Sequence, residues 1–269
     1  MPDLLANIFL VRHGETTANR DGILQGHSDY DLTDRGHQDA ITTGTYLSRL
    51  HFDYVYSSDL GRAIKTADLI LEQNSSTMVG ARYTPLIREK YFGVRENLPK
   101  HVSVDEARKI VAVKRGIKEE DVLEVEEAMQ DLLQRQKAFL QQIKEDIINL
   151  DCGYPLKNIL CISHGAYIAE FLHNLDFFGD MRGAGSMPHW EGKLRNCCVN
   201  VITLSWKDDG STVSSRPTIG VKIVNFAEHI DRAHRESGTD DDSGHEKCEK
   251  YTGQDFIKDF SEIIAPMDD

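Results

Sequence analysis

The sequence contains no long apolar run, no excess of basic residues and no recognisable export signal. None of its 269 residues lies in an apolar stretch of the roughly 20 residues that a membrane-spanning helix needs. The formal net charge of -13 disfavours nucleic acid and anionic membrane surfaces as partners. Because the first residues lack a basic region and a small-residue cleavage site, we expect a cytoplasmic protein.

Cysteine is scarce and irregularly placed. The five cysteines form no CxxC pair, and their odd number leaves at least one without a partner. We therefore predict reduced thiols, as is usual in a cytosolic protein.

Acidic residues are concentrated towards the C terminus. Residues 228–269 hold 13 of the 44 acidic residues and only 5 of the 31 basic ones, so this segment carries -8 of the net charge of -13. We predict a domain over residues 1–227 and an acidic, disordered tail over 228–269. The tail histidines His229, His234 and His245 are expected to be surface residues.

Strand and helix patterns alternate along the remainder of the chain. Short apolar runs followed by turns predict strands, and amphipathic stretches predict helices between them. This alternation predicts an α/β fold, a three-layer sandwich with a largely parallel central sheet and helices on both faces. The strands are predicted at Ala6–Val11, Phe52–Ser58, Asn158–His164, Cys197–Trp206 and Val221–Phe226; the helices are predicted after Thr33 or Asp34, from Asp59, over Val122–Leu150 and after His164.

Three of the predicted strands end in polar motifs. These are Arg12-His13-Gly14, Ser57-Ser58-Asp59 with Arg62 close behind, and Ser163-His164-Gly165. Ligands bind beyond the carboxyl ends of the strands in open α/β sheets. We therefore expect the three motifs to line one crevice.

The residue types in this crevice suit a small, doubly negative group. Arg12 and Arg62 each offer a fork of hydrogen-bond donors with a permanent charge, which fits phosphate. A helix beginning at Gly165 is expected to add backbone N–H groups pointing at the same anion. No acidic cluster lies near these motifs to hold Mg²⁺, so protein cations are expected to neutralise the charge.

Histidine and glutamate could carry out phosphoryl transfer here. A histidine becomes a nucleophile when one ring nitrogen is held by an acceptor and the other is free, and His13 is the candidate. A carboxylic acid usually protonates the leaving oxygen, and Glu89 is the first candidate for this role. Glu15 and Glu96 remain alternatives.

Four stretches together resemble the histidine phosphatase superfamily, in its phosphoglycerate-mutase-like branch. They are RHGETTAN, SSDLGRAIKTA, IREKYFG and SHGAY, in that order within Ile8–Leu204. The resemblance implies that His13 is phosphorylated, that Arg12, Arg62 and His164 hold the phosphoryl oxygens, and that Glu89 donates the proton. It also implies phosphate contact by Asn19, substrate contact by Gln25 and Gly26, and no requirement for metal or other cofactor.

Within this superfamily the motifs look most similar to the TIGAR-type fructose-2,6-bisphosphatases. The resemblance therefore implies a metal-independent phosphatase acting on a small phosphorylated metabolite, with a fructose bisphosphate as the first choice. A phosphoglycerate mutase is the alternative, because Lys100 falls where the substrate-contacting lysine of a mutase would lie. A catalytically weak ligand-binding or scaffold relative is the third possibility, since KRGIKEEDVLEVEEA departs from the Pro-Gly-Gly-Glu stretch of many members. The sequence does not indicate which protein partners the chain has.

Overall fold

A computed structural model describes residues 3–150, 156–181, 193–208 and 213–237. Its strands are β1 (Leu4–Arg12), β2 (Tyr54–Ser58), β3 (Arg82–Thr84), β4 (Leu156–Ser163), β5 (Asp180–Met181), β6 (Val199–Trp206) and β7 (Thr218–Phe226). Its α-helices are α1 (Thr17–Arg20), α2 (Asp34–Leu47), α3 (Gly61–Glu72), α4 (Val104–Arg115), α5 (Met129–Asn149), α6 (Gly165–His173), α7 (Leu175–Phe178) and α8 (Glu228–Ser237). No helix in these ranges is long and apolar enough to cross a membrane.

The strands form one sheet in the order β3-β2-β4-β1-β6-β7-β5. Strands β3, β2, β4 and β1 are parallel, whereas β6 runs antiparallel to both β1 and β7. Alternate residues of β1 enter different cores: Ile8 and Leu10 pack in one cluster, and Phe9 and Val11 in another. Because β1 is covered on both faces, its sequence is continuously apolar. The predicted three-layer α/β architecture is confirmed.

The carboxyl ends of the central parallel strands meet at one edge of the sheet. Arg12 at the end of β1 is in register with Ser163 at the end of β4, and Ser57 of β2 is in register with Ile162. The backbone N–H of His13 extends this pairing by donating to the carbonyl of Ser163 at 3.0 Å. The three polar motifs therefore lie side by side, as the strand pattern predicts.

The helix predicted over Val122–Leu150 is wrong at its N-terminal end. The α-helix begins only at Met129, and the residues before it run extended against the turn at Gly93, where an added Cβ would lie 2.6 Å from the carbonyl carbon of Val125. Val125, predicted on the apolar side, is 64% exposed. The apolar spacing continues through this segment, but tertiary contacts hold it out of the helix.

Helix α4 has local signals that the sequence analysis did not use. Ser103 and Glu106 form a capping box, in which each side chain bonds the backbone N–H of the other residue. Gly116 ends the helix in the left-handed conformation, with φ of 66°. The helix belongs to a small separate core that includes Val94, Val102 and Val122.

The predicted tail begins with an ordered helix. Helix α8 packs against α2 and buries Ile230, so the folded unit continues ten residues beyond the predicted boundary at 227. His229 stacks on Tyr46 and its Nε2 lies 2.9 Å from Thr43 Oγ1, while His234 Nε2 lies 2.7 Å from the carboxylate of Asp39. The expectation that these two histidines are surface residues is wrong. His245 and the rest of the predicted tail lie outside the described residues.

Three cysteines lie in the described ranges. Cys161, Cys197 and Cys198 are buried and free, and burial raises the pKa of each thiol. Cys152 and Cys248 lie outside the described residues. The three cysteines that the structure describes are therefore free thiols, as predicted.

A close backbone contact holds the His13 loop against α2, and it predicts a stability effect. A Cβ added at Gly36 would overlap the carbonyl oxygen of Glu15, and one added at Gly14 would lie 2.6 Å from the carbonyl of Gly36. We expect Gly36→Ala to lower the free energy of unfolding by about 1–3 kcal/mol, even though alanine favours helices. Gly80→Ala is the matched control, because no atom of the described residues lies within 4 Å of its added Cβ. Urea denaturation measures the free energy of unfolding of both variants. Equal values for Gly36→Ala and Gly80→Ala would contradict the close contact.

Candidate active site

His13 lies directly after β1 and is only 2% exposed. Its Nδ1 lies 2.8 Å from the carbonyl of Gly14, so Nδ1 carries the proton and donates. The lone pair is therefore on Nε2, for which the described residues supply no hydrogen-bond partner. This tautomer is the one that a nucleophilic histidine needs.

Buried polar atoms without partners surround His13. Among the described residues, Arg12 Nε, Arg62 Nε and both ring nitrogens of His164 have none. The ring centroids of His13 and His164 are 5.1 Å apart, and an added Cβ at Gly165 would lie only 3.2 Å from Arg12 Nε. Leaving a buried donor unsatisfied costs about 1–3 kcal/mol. A bound anion would satisfy several of these donors together.

The outer nitrogens of Arg62 hold the loop that begins at Gly26. Nη2 donates to the carbonyl of Gly26 at 2.7 Å, and Nη1 donates to the carbonyl of Ser28 at 2.9 Å and to Asp29 at 3.3 Å. Asp29 also accepts from the backbone N–H of Gly61 and Arg62 at the start of α3. Because its outer nitrogens are anchored, the guanidinium of Arg62 is fixed in orientation, and its Nε has no hydrogen-bond partner in the part of the chain that the structure describes.

Gly26 is required by the shape of this loop. Its φ is 56°, and an added Cβ would overlap the carboxylate of Glu96. Glu96 in turn accepts from the backbone N–H of His27 at 2.8 Å and from Ser28 Oγ at 3.1 Å. The structure thus places Gly26 beside Arg62, and Glu96 in the anchoring of the loop.

Glu89 lies at the N terminus of α6. Its carboxylate accepts from the backbone N–H of Lys90 and Tyr167, each at 2.9 Å, and of Ala166 at 3.1 Å. The expectation that the first helix amides point at the anion is therefore wrong for Ala166 and Tyr167, because Glu89 occupies them. Its negative charge acts on both Arg12 and Arg62 and counters the lowering of their pKa by burial.

Glu15, the remaining alternative acid, makes a different contact. Its Oε1 accepts from Thr33 Oγ1 at 2.8 Å, and Thr33 is the N-cap of α2. Glu15 therefore links the His13 loop to α2. Glu89, in contrast, lies against the first amides of α6, directly after His164.

Three further residues are predicted to contact phosphate or substrate, namely Asn19, Gln25 and Lys100. Asn19 Oδ1 accepts from Thr16 N and from Asn196 Nδ2, each at 3.2 Å, and Gln25 Oε1 accepts from Thr16 Oγ1 at 3.0 Å. These oxygens hold the loop after β1. Burial lowers the pKa of Lys100, and the positive charge of Arg12 lowers it further. The Lys100 ammonium is therefore close enough to the site to be affected by Arg12.

Asn196 is a site residue that the sequence analysis missed. Its Nδ2 donates to the carbonyl of His13 at 2.9 Å, and the neighbouring Leu194 carbonyl accepts from Arg12 Nη1. Arg195, between them, pairs with both carboxylate oxygens of Asp231 on α8 at 2.6 and 2.7 Å. Asn196 is a polar residue in NCCVN, and nothing in the neighbouring sequence indicates that it contacts His13, which is far away along the chain.

Burial lowers the pKa of His13 and His164 well below the usual value, and the positive charge of Arg62 adds to this effect. Both rings are therefore neutral in the anion-free protein at pH 7. The unfolded chain protonates near pH 6.5, so below that pH it binds more protons than the native state and the native state loses stability. We expect the free energy of unfolding to fall as pH drops from 7.5 to 5.5, by about 1 kcal/mol for each histidine.

Denaturation in phosphate-free buffer at the two pH values measures this loss. His164→Gln has no imidazole to protonate at this position, so its loss between the two pH values should be smaller than that of the wild type. An identical pH dependence in the two proteins would show that His164 is not held neutral.

The fold and these side chains identify the family. The chain belongs to the histidine phosphatase superfamily (branch 1), whose family profile matches residues 8–216. The resemblance drawn from the four motifs is thereby confirmed.

Individual relatives match different shares of the chain. Over 95 residues the chain is 50% identical to the fructose-2,6-bisphosphatase TIGAR B of Danio rerio, covering 35% of this chain and 37% of that protein. Over 175 residues it is 34% identical to a broad-specificity phosphatase of Saccharomyces cerevisiae, covering 64% and 71% respectively. A phosphoglycerate mutase structure from Bacillus anthracis has a TM-score of 0.62 at 23% identity, covering 86% of this chain and 97% of that one, and so shares the fold.

Proposed function

We propose that this protein is a metal-independent phosphatase that transfers the phosphoryl group of a small metabolite to His13 and then to water. The observation that carries the proposal is the set of buried polar atoms on Arg12, Arg62 and His164 that have no partner among the described residues, next to a His13 in the tautomer that a nucleophile needs. Preorganised donors of this kind stabilise the charge that develops on a transferring phosphoryl group. Membership of the superfamily supports the same chemistry.

The reaction consists of two displacements. In the first, the lone pair of His13 Nε2 forms a bond to phosphorus, the bond to the leaving oxygen breaks, and that oxygen takes a proton from Glu89. In the second, the Glu89 carboxylate takes a proton from water, the water oxygen bonds to phosphorus, and the bond to Nε2 breaks. Inorganic phosphate and neutral His13 result, with Glu89 protonated again for the next turnover.

A fructose bisphosphate is the first substrate to test. The identity of 50% to a fructose-2,6-bisphosphatase supports this choice, although it covers only 37% of that relative. A phosphoglycerate mutase uses the same phosphohistidine step but returns the phosphoryl group to a second hydroxyl. The position of Lys100, which corresponds to a substrate-contacting lysine of the mutases, keeps the mutase as the alternative.

Phosphate release from a substrate panel in EDTA tests the proposal. The panel contains fructose 2,6-bisphosphate, fructose 1,6-bisphosphate, 2,3-bisphosphoglycerate, 3-phosphoglycerate, a phosphotyrosine peptide and an aryl phosphate, with mutase product measured in parallel. We expect release in EDTA, with the highest kcat/KM on a fructose bisphosphate. Isomerised phosphoglycerate without net release would establish the mutase instead, and binding without turnover would establish a ligand-binding relative.

A further inference from the structure

Arg135 on α5 binds the loop that carries Glu89. Its Nη1 donates to the carbonyls of Leu86 at 3.0 Å and Arg88 at 2.8 Å, and its Nη2 reaches the carbonyl of Glu89 at 3.4 Å. The Arg135 guanidinium thus binds three of the four backbone carbonyls of residues 86–89. The backbone on both sides of the Glu89 Cα is attached to a rigid helix.

Glu127 holds this guanidinium in place. Its two carboxylate oxygens accept from Arg135 Nε at 3.0 Å and Nη2 at 2.8 Å, and both side chains are mostly buried, at 16% and 14% exposure. A two-point pair of this kind fixes the plane of the guanidinium as well as its position. The backbone of Glu127 also donates to the carbonyl of Tyr91 at 2.8 Å, which ties the segment before α5 to the same loop.

Arg135 also lies close to the N terminus of α6, whose amides bind the Glu89 carboxylate. Its guanidinium carbon lies 5.3 Å from the centroid of the Tyr167 ring, and the backbone N–H of Tyr167 donates to Glu89 Oε1. The neighbouring Gln136 donates to the carbonyl of Tyr167 at 2.9 Å. Helix α5 therefore contacts both the backbone of Glu89 and the residue that holds its carboxylate.

We propose that Arg135, together with Glu127, is a positioning residue that sets the location of the Glu89 carboxyl relative to the leaving oxygen. The inference rests on the proposed function, because it assigns Arg135 to the proton-transfer step of that reaction. Arg135 acts through the loop backbone. A misplacement of the acid by about 1 Å would slow the first displacement only where the leaving group needs a proton, whereas the second displacement, in which the same carboxylate acts as base, would slow for every substrate.

Leaving-group dependence separates this role from a purely structural one. Arg135→Met should lower kcat/KM, which reports the steps up to departure of the leaving group, by roughly 10- to 100-fold on a sugar phosphate and leave kcat/KM on an activated aryl phosphate nearly unchanged. Glu127→Gln retains the arginine but weakens its anchor, so it should give the same selectivity with a smaller loss. This second variant also tests the proposal if Arg135→Met does not fold.

Arg216→Met is the matched control. Arg216 likewise binds one carboxylate, that of Asp180 at 2.9 Å, and gathers the carbonyls of Asp176, Phe177 and Gly179 at 2.6–3.2 Å. The segment that Arg216 binds comprises α7 and the residues directly after it, and carries no proposed catalytic residue. We expect Arg216→Met to leave the ratio of the two activities unchanged.

A double-mutant cycle decides whether Arg135 acts through Glu89. In a Glu89→Gln background, Arg135→Met should cause no further selective loss, because the acid is already absent. Equal losses on both substrates, or additive losses in the double variant, would overturn the positioning role. If Glu89→Gln itself loses both activities equally, the acid assignment within the proposed function fails as well, so the two failures are distinguishable.

Discussion

His13→Gln should lower phosphate release from every hydrolysed substrate by on the order of 10⁴-fold or more. Glutamine retains a polar side chain near the ring position but has no lone pair able to form the phosphoenzyme. The loss should be independent of leaving group, since both displacements use the same nitrogen. Steady-state kinetics with an aryl phosphate and with the best sugar phosphate measure it.

Anion binding is the control for this variant. Arg12, Arg62 and His164 remain in His13→Gln, so inorganic phosphate should still raise its melting temperature. His51→Gln is the matched histidine control, because His51 is exposed and contacts the carbonyl of Ser76, before the amino end of β2 and away from the carboxyl ends of the strands. Activity of His13→Gln within tenfold of the wild type would show that His13 is not the nucleophile.

Glu89→Gln should reduce kcat/KM, which reports the first displacement, by about 10²- to 10⁴-fold on a sugar phosphate and far less on an activated aryl phosphate. The sugar oxygen is a poor leaving group that needs a proton as its bond to phosphorus breaks, whereas an activated phenolate leaves without one. A plot of log kcat/KM against the pKa of the leaving group should therefore have a much steeper slope for the variant than for the wild type.

Glu15→Gln distinguishes between the candidate acids. Glu15 accepts from the cap of α2, so its substitution should affect both substrates to a similar degree. A selective loss on the sugar phosphate in Glu15→Gln, with equal losses in Glu89→Gln, would transfer the acid role to Glu15.

The sequence was most informative where local pattern and tertiary structure agree. The apolar run of β1 is buried on both faces, and it ends in charged residues where the sheet meets the crevice. The helix predicted after Thr33 or Asp34 begins there, and the Thr33 side chain caps α2 by accepting from the N–H of Gly36 at 3.0 Å. Such signals depend on neighbouring residues, so they can be interpreted without the fold.

Contacts between distant parts of the chain limited the sequence analysis. The apolar spacing before Met129 looks helical, yet Glu127 instead pairs with Arg135 and bonds the backbone near Tyr91. In the same way, the amides at the start of α6 were expected to face the anion, whereas the Glu89 carboxylate occupies two of them. Competition between two partners for one group is decided by the fold and has no local sequence signal.

Trapping the phosphoenzyme tests the central claim most directly. Wild-type protein is mixed with substrate carrying radiolabelled phosphate, stopped in alkali within one turnover, and digested for peptide mapping. The proposed mechanism predicts label on the peptide containing His13, stable in alkali and released by acid, and no label on His13→Gln. Rapid turnover by the wild type with no such label at any reaction time would contradict a phosphohistidine intermediate.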